Sequence, residues 1–321
     1  MKTTFKYFCS LIVITLISCS LFGQVAISNV SEISKIKKGT TYVVMKNPNS
    51  PIAKAYIDVF NEYWTFNEVK FIKNDEVEKY LAPNNSFFSI GNTQKDIQVT
   101  KTDVHNQTNT TVYSKNHIYF ELWTCDEKYF EKEGNEFNST YAIQVARIEL
   151  YPTLDASLTP EFLNMTDYDC GGFIRNWSPG ILKNDIQTLM TLLSKAVVRT
   201  LDESVANTTA LKKLNTATLY VPDYVLIKNN KFTGSESERY KEKDLFKNYE
   251  LKYEVVSMDV LSKKILEAKD DFYYLIFVKS ATDKYVNVIN GNTGEIIYSD
   301  YSFNSYNMDA GDLGKLMKKI Q

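Results

Sequence analysis

Between residues 40 and 81 the apolar positions change period repeatedly. Thr41–Met45 is a near-continuous apolar run, the pattern of a buried strand. Ile52, Ala55, Tyr56, Val59, Phe60 and Tyr63 then recur at alternating intervals of three and one. That spacing puts them on one face of a helix, with Ser50 as its cap and Pro51 at its first position. Glu68–Lys73 returns to a strand, and Asn74 caps a short helix carrying Val77, Tyr80 and Leu81 that Pro83 stops. SFFSIG follows as a buried strand ending at Gly91.

The second half repeats this cadence. Ala217–Val221 is a strand. After a polar insertion, YEVVSMDVLSKKIL echoes VKFIKNDEVEKYL: Val255, Val256, Asp259, Leu261 and Ile265 stand where Phe71, Ile72, Asp75, Val77 and Leu81 stood. The strand Phe272–Val278 and the pair KYVNVIN and EIIYSDYSF, turning through NGNTG, complete it. Between the halves, Ile181, Ile186, Leu189, Met190, Leu193, Val197 and Leu201 keep helical spacing after Ser178–Pro179, a helix of about twenty residues. The expectation is an α/β chain with mixed sheets and two similar lobes. Each lobe runs strand, helix, strand, helix, strand and then an antiparallel hairpin, and the long helix joins them. The N-terminal lobe spans 25–170; the linking helix and C-terminal lobe span 171–321. Ile27, Val30, Ile33 and Ile36 suit a short helix or a loosely docked tether, and Thr102–Ser114 and Lys228–Lys243 read as polar loops. MDAGDLGKLMKKI reads as a terminal amphipathic helix.

Composition adds little to that outline except at the N-terminus. There, Lys2 and Lys6 precede an apolar core, Tyr7–Ile17, too short to span a bilayer as a helix, which is the form of a secretory signal. LISC, residues 16–19, resembles the bacterial lipobox, in which the cysteine is acylated, so residues 1–19 contain the leader and Cys19 is the lipidation candidate. The alternative is a conventional cut near residues 20–23 that releases a soluble protein. A net charge of −2 offers no field for nucleic acid or anionic lipid. In an oxidising compartment Cys125 and Cys170 are expected to form a disulfide; a nucleophilic Cys170 would need one of only two histidines, His105 and His117, both in or beside a polar stretch.

The remaining chemistry is sparse. Lys46–Pro51 has no glycine and two prolines, so the first helix start lacks the converging amides of a phosphate cradle, and neither GxGxxG nor GxxxxGK[ST] occurs. HExxH, CxxC and GxSxG are also missing, so no cofactor, nucleotide or metal is expected. The one cluster worth placing is TDYDCGGFIRNWSPG, where Asp167, Asp169, Arg175 and Trp177 surround two glycines. It reads either as a ligand site or as a tight turn that presents Cys170 to Cys125.

YYLIFVKS followed by YVNVINGNTGEIIYSDYSF resembles a hairpin with the turn D-x-x-T-G-E. That pattern is found in the curli-secretion lipoprotein family and the N-terminal domain of the Tol translocation protein. Asn290 replaces the Asp, whereas Thr293, Gly294 and Glu295 match. The chain as a whole also looks like the signal-bearing proteins of Gram-negative envelopes. The resemblance implies an envelope α/β module; the pore-forming segments of a curli channel are not evident. The functional expectation is a non-catalytic binding or assembly module, anchored at the outer membrane through Cys19 or released, that meets an envelope protein or polymer. The alternatives are a hydrolase of envelope polymers using carboxylates, and a carrier with an apolar cavity under the long helix.

Overall fold

The computed structural model describes residues 24–102, 108–131, 136–158, 172–230, 235–236 and 238–321. In chain order the first half contains β1 (Val25–Ile27), α1 (Ile33–Ile36), β2 (Thr40–Met45), α2 (Ala53–Tyr63), β3 (Glu68–Lys73), β4 (Ser86–Thr102), β5 (Thr108–Cys125), β6 (Ala142–Glu149), α3 (Leu154–Leu158) and α4 (Pro179–Lys195). The second half contains β7 (Val205–Ala206), α5 (Thr208–Leu211), β8 (Leu219–Pro222), β9 (Ile227–Lys228), β10 (Glu238–Arg239), α6 (Glu242–Leu245), β11 (Tyr253–Val256), α7 (Met258–Leu266), β12 (Tyr273–Ser280), β13 (Asp283–Asn290), β14 (Ile296–Ser302) and α8 (Ala310–Ile320).

Two mixed six-stranded sheets result, ordered β3-β2-β4-β5-β6-β1 and β11-β8-β12-β13-β14-β7. The orders match strand for strand. In each sheet the first three strands are parallel and the remaining joins antiparallel. Even the short leading strands correspond, since β1 and β7 each close the far edge of their own sheet. The echo between the halves is therefore a repeated topology. It reaches further than the sequence cadence, which reads Val25–Ile36 as a helix or tether. Val25 and Ile27 are fully buried, and β1 pairs with β6.

α4 is less a linker than a shared core element. Ser178 caps it by accepting from the Ile181 amide (3.2 Å), and the Gly180 amide donates to Ser262 Oγ on α7 (3.0 Å). A Cβ at Gly180 would meet the Ser262 backbone at 2.5–2.9 Å, so only glycine permits this crossing. Lys183 Nζ, buried, donates to the Ile265 carbonyl at the end of α7 (2.8 Å), where a cation complements the helix dipole. α4 also packs on α2, and Leu182, Ile186, Leu189 and Leu193 are enclosed in a core cluster that runs through both halves. α4 ends at Lys195, where Ala196 turns left-handed (φ 49°). Val197 and Leu201 lie beyond it because Arg199 exchanges backbone hydrogen bonds with Ile27, and that pairing overrides the helical spacing.

Other boundaries move for similar reasons. Ser50 and Pro51 form a turn, not a first helical turn. Asn47 Oδ1 accepts from the Asn49 amide (3.2 Å), Ser50 Oγ from the Ile52 amide (3.3 Å), and α2 starts at Ala53, leaving Ile52 and Ala55 exposed. The short helix Asn74–Tyr80 is 3-10. β4 does not stop at Gly91 but continues to Thr102, paired with β5 down to Thr102↔Thr108. Much of the stretch read as a polar loop, 102–114, is thus strand. Its Thr, Val and Tyr residues carry the strand preference that its polarity hides. The stretch 228–243 holds the small β9–β10 pair.

Candidate functional site

The joint between the halves is built around Tyr151. After β6 the chain doubles back, and residues 151–153 pair with 173–175: the Arg175 amide donates to the Tyr151 carbonyl and the Thr153 amide to the Phe173 carbonyl, each at 2.8 Å. Asn176, fully buried, locks this ladder, accepting from the Tyr151 amide (2.6 Å) and donating to the Glu149 carbonyl (3.2 Å). The Tyr151 ring packs edge-on against Tyr224 and Phe277 of the second half. Its hydroxyl, pushed up to about 12 by burial, accepts from Asn229 Nδ2 (3.0 Å), and Asn229 Oδ1 accepts from Lys279 (2.9 Å).

Arg175 lies over this ring, its guanidinium 5.5 Å from the centroid, and donates through Nη2 to Glu236 of the second half. The pair is mostly covered, with side chains 16% and 13% exposed. Beside it opens a cleft of about 380 Å³ lined by Thr153, Leu154, Asp155, Gly172, Phe173, Arg175 and Glu236. Arg175 Nε and Glu236 Oε1 have no hydrogen-bond partner among the described residues. A cation fork, two carboxylates and a hydroxyl around one opening suit a polar ligand that both donates and accepts hydrogen bonds.

Of the cluster singled out in the sequence, Arg175 lines this cleft. Trp177 does not: it is buried, stacked on Tyr56 at 5.8 Å and tilted against Phe120 at 5.2 Å, so it belongs to the first core. Asp167, Asp169, Cys170, His105 and Cys19 lie outside the described residues. Cys125 is fully buried with its thiol pushed up to about 11, first by burial and then by Asp126, and no cysteine lies at bonding distance among the described residues. Glu236 has no local signal. It follows Arg175 by 61 positions and sits in a polar insertion, so only the tertiary fold brings the two together.

Two further polar groups sit inside the molecule. At the end of β12, Ser280 donates to Glu149, while His117 Nδ1 lies 3.1 Å from the same hydroxyl. Arg147 Nε also donates to Glu149. Burial would raise the Glu149 carboxyl, but the bonds from His117, Arg147 and Ser280 outweigh it and hold the group below the usual carboxylate range. Ser280 is fully enclosed with its proton aimed at the carboxylate, not at the imidazole, the reverse of a hydrolytic triad. On α4, buried Asp185 is raised to about 8 by desolvation, which the nearby Gln24 only partly offsets. Among the described residues no group of three or more His, Cys, Asp or Glu is arranged to hold a metal ion, and no helix is long and apolar enough to cross a membrane.

Comparison of the chain with protein-family models, curated proteins and solved structures finds no significant match.

Proposed function

We propose that the chain is an envelope lipoprotein, held at the membrane through Cys19, whose body is a non-catalytic binding or assembly module. Its partner group enters the cleft between the halves. The observation that carries this reading is the Arg175–Glu236 pair. It spans the two halves, it lines a cleft of about 380 Å³, and among the described residues Arg175 Nε and Glu236 Oε1 have no hydrogen-bond partner. A ligand in the cleft would meet the exposed edges of this ion pair, 16% and 13% of the two side chains, where charge-assisted hydrogen bonds are strong. The envelope location rests on the leader and the lipobox-like LISC. Among the described residues, Ser280 and the Cys125 thiol are both enclosed.

The test is thermal denaturation of the purified chain against envelope components: peptidoglycan fragments, outer-membrane oligosaccharides and short peptides. A component that raises the midpoint of the wild type, with the rise lost in Arg175→Ala and Glu236→Gln, supports the cleft. A rise that persists in both variants contradicts it. Asp155 and Glu236 line the same cleft and favour a second reading, a hydrolase acting through that carboxylate pair. Turnover of a component by the wild type and not by Glu236→Gln would select it.

A further inference from the structure

A polar seam closes the two halves on each other beneath α4. Gln24, just ahead of β1, sends its side chain across to the second sheet, where Asn287 Nδ2 on β13 donates to Gln24 Oε1 (3.2 Å). Its backbone is pinned from the first half, since the Glu149 amide donates to the Gln24 carbonyl (2.9 Å). Asp185 on α4 lies beside Gln24, with the Tyr274 hydroxyl of β12 close by. Asn287 and Ser299 are register partners, and Tyr274 pairs with Ile289, two positions from Asn287, so the three share one face of the sheet. The Tyr274 hydroxyl donates to Asn184 Oδ1 (3.0 Å), which turns that face toward α4. Gln24, Asp185, Asn287 and Ser299 are each at most 4% exposed. Even so, Gln24 Nε2, Asp185 Oδ2, Asn287 Oδ1 and Ser299 Oγ have no hydrogen-bond partner among the described residues.

The charged groups around the seam leave Asp185 without a counter-ion among the described residues. Lys183, on the same helix, is committed to the Ile265 carbonyl (2.8 Å), Arg199 pairs with Glu203 (3.0 Å), and Arg147 and His117 face Glu149. Burial raises the Asp185 carboxyl to about 8, and Gln24 is the one group that offsets it. The Tyr274 hydroxyl, raised first by burial and then by Asp185, stays neutral. Burial works against Glu149 too, but the bonds from His117, Arg147 and Ser280 outweigh it and keep that group ionised. The seam thus holds two buried carboxyls of opposite preference, one ionised and bonded, the other neutral. Removing the proton from Asp185 in place would bury a bare charge, which is costlier than admitting water.

Of the elements around Asp185, β1 is the one least firmly held. It is three residues long and closes the edge of the first sheet, tied to β6 on one side and by the Ile27–Arg199 exchange on the other. Tyr274 stands inside β12, between β8 and β13, and α4 is gripped by the turn at Gly294. We propose that Gln24 and β1 form a strap closed by a proton. With Asp185 protonated the strap lies shut between α4 and the second sheet; loss of that proton lifts it and brings water to the carboxylate. The device is independent of the cleft and of the membrane anchor.

The pH dependence follows from linkage. With the strap shut, Asp185 keeps its proton up to about 8; with it lifted, the group is an ordinary carboxyl that ionises at about pH 4. Between these values the shut form holds one more proton than the lifted form. The ratio of shut to lifted therefore falls about tenfold for each unit of rising pH, and levels off once both forms are ionised. Glu149 acts in the opposite sense. Its folded carboxyl is held low, so its contribution is lost only at the acid end and leaves the range above about pH 5 to Asp185.

The experiment is amide hydrogen exchange of the intact chain, followed by NMR between about pH 5 and about pH 7.5 in a series of low urea concentrations. The strap is read at the Ile27 amide, which donates to the Arg199 carbonyl, and at the Glu149 amide, which donates to Gln24; Val43 in β2 and Ile276 in β12 report the core. After correction for intrinsic exchange, protection at Ile27 and Glu149 is expected to be lower than in the core, insensitive to urea, and to fall about tenfold per pH unit. Asp185→Asn should flatten that slope. Gln24→Ala should lower protection at Ile27 severalfold and make its slope shallower, because water then reaches the carboxyl with β1 in place. Exchange at Ile27 and Glu149 that matches the core amides in size and urea dependence shows that no separate opening exists and overturns the strap; the wild-type series decides this without any variant. A slope that survives Asp185→Asn, or that His117→Gln removes, overturns the assignment to Asp185.

Discussion

Asp185 is the residue whose ionisation the fold opposes most plainly. It is buried on α4, with Gln24 and the Tyr274 hydroxyl nearby, and its carboxyl stays protonated up to about pH 8. The unfolded chain releases that proton near pH 4, so between these values the native state holds one more proton than the unfolded state. Stability contributed by this group is therefore present at low pH and falls by up to about 1.4 kcal/mol per pH unit as pH rises from 4 to 8. Asp185→Asn keeps the shape and removes the titration. Urea unfolding of the variant should lose that part of the pH slope and exceed the wild type in stability at pH 8; an unchanged slope would remove Asp185 from the explanation. Cys125 gives a second test at this scale. Buried and raised to about 11, its thiol should not react with a maleimide at pH 7 in the folded chain. Unfolding without reductant then separates two states: a reactive Cys125 is unbridged, and a silent one is in the disulfide with Cys170 proposed from the sequence.

At the scale of elements, α4 is held by contacts that tolerate no added atoms. Gly294, in the turn between β13 and β14, has φ +74°, and a Cβ there would meet the Asn184 carbonyl oxygen at 2.7 Å. The same turn is gripped by Thr188 Oγ1 on the Gly294 carbonyl (2.7 Å) and by Gln187 and Asn184 on the Asn292 and Gly291 carbonyls (3.2 Å each). The turn that resembles the envelope hairpin motif is thus where the second sheet docks on the helix of the first half. Gly180→Ala and Gly294→Ala should each destabilise by about 1–3 kcal/mol, with Gly294→Ala the worse because it adds backbone strain to the clash. Calorimetry that found either neutral would contradict the crossing. α4, α7, α8 and the β12–β14 meander were legible because long helices and alternating strands state their period outright. The continuation of β4 and β5 past Gly91 was not, because Thr, Asn and Gln read as loop when no apolar alternation marks the strand. The Arg175–Glu236 pair was half legible. Arg175 sits beside Gly172 in a conspicuous cluster, but nothing in the 229–239 insertion distinguishes Glu236 from its neighbouring acids.

The whole molecule is one strand order built twice and closed over a common core. The helix layers correspond as well: α4 follows β6 and packs on α2, and α8 follows β14 and packs on the segment after α6 that fills the same place. Because α4 is buried against both halves, neither half is complete alone. Residues 24–199 and 200–321 expressed separately should show poor amide dispersion, and the intact chain should unfold in a single calorimetric transition. Two resolved transitions would mean that the shared core is weaker than its continuity implies. The joint that makes the molecule one cooperative body also builds the cleft, and that is the claim to test most directly. A photo-crosslinking amino acid at Phe173, on the cleft wall, is compared in intact cells with the same probe at Lys54 on the exposed face of α2. The account predicts a discrete adduct from position 173 that disappears when Arg175→Ala is added, and none from position 54. The same adducts from both positions, or a position-173 adduct indifferent to Arg175, would contradict it.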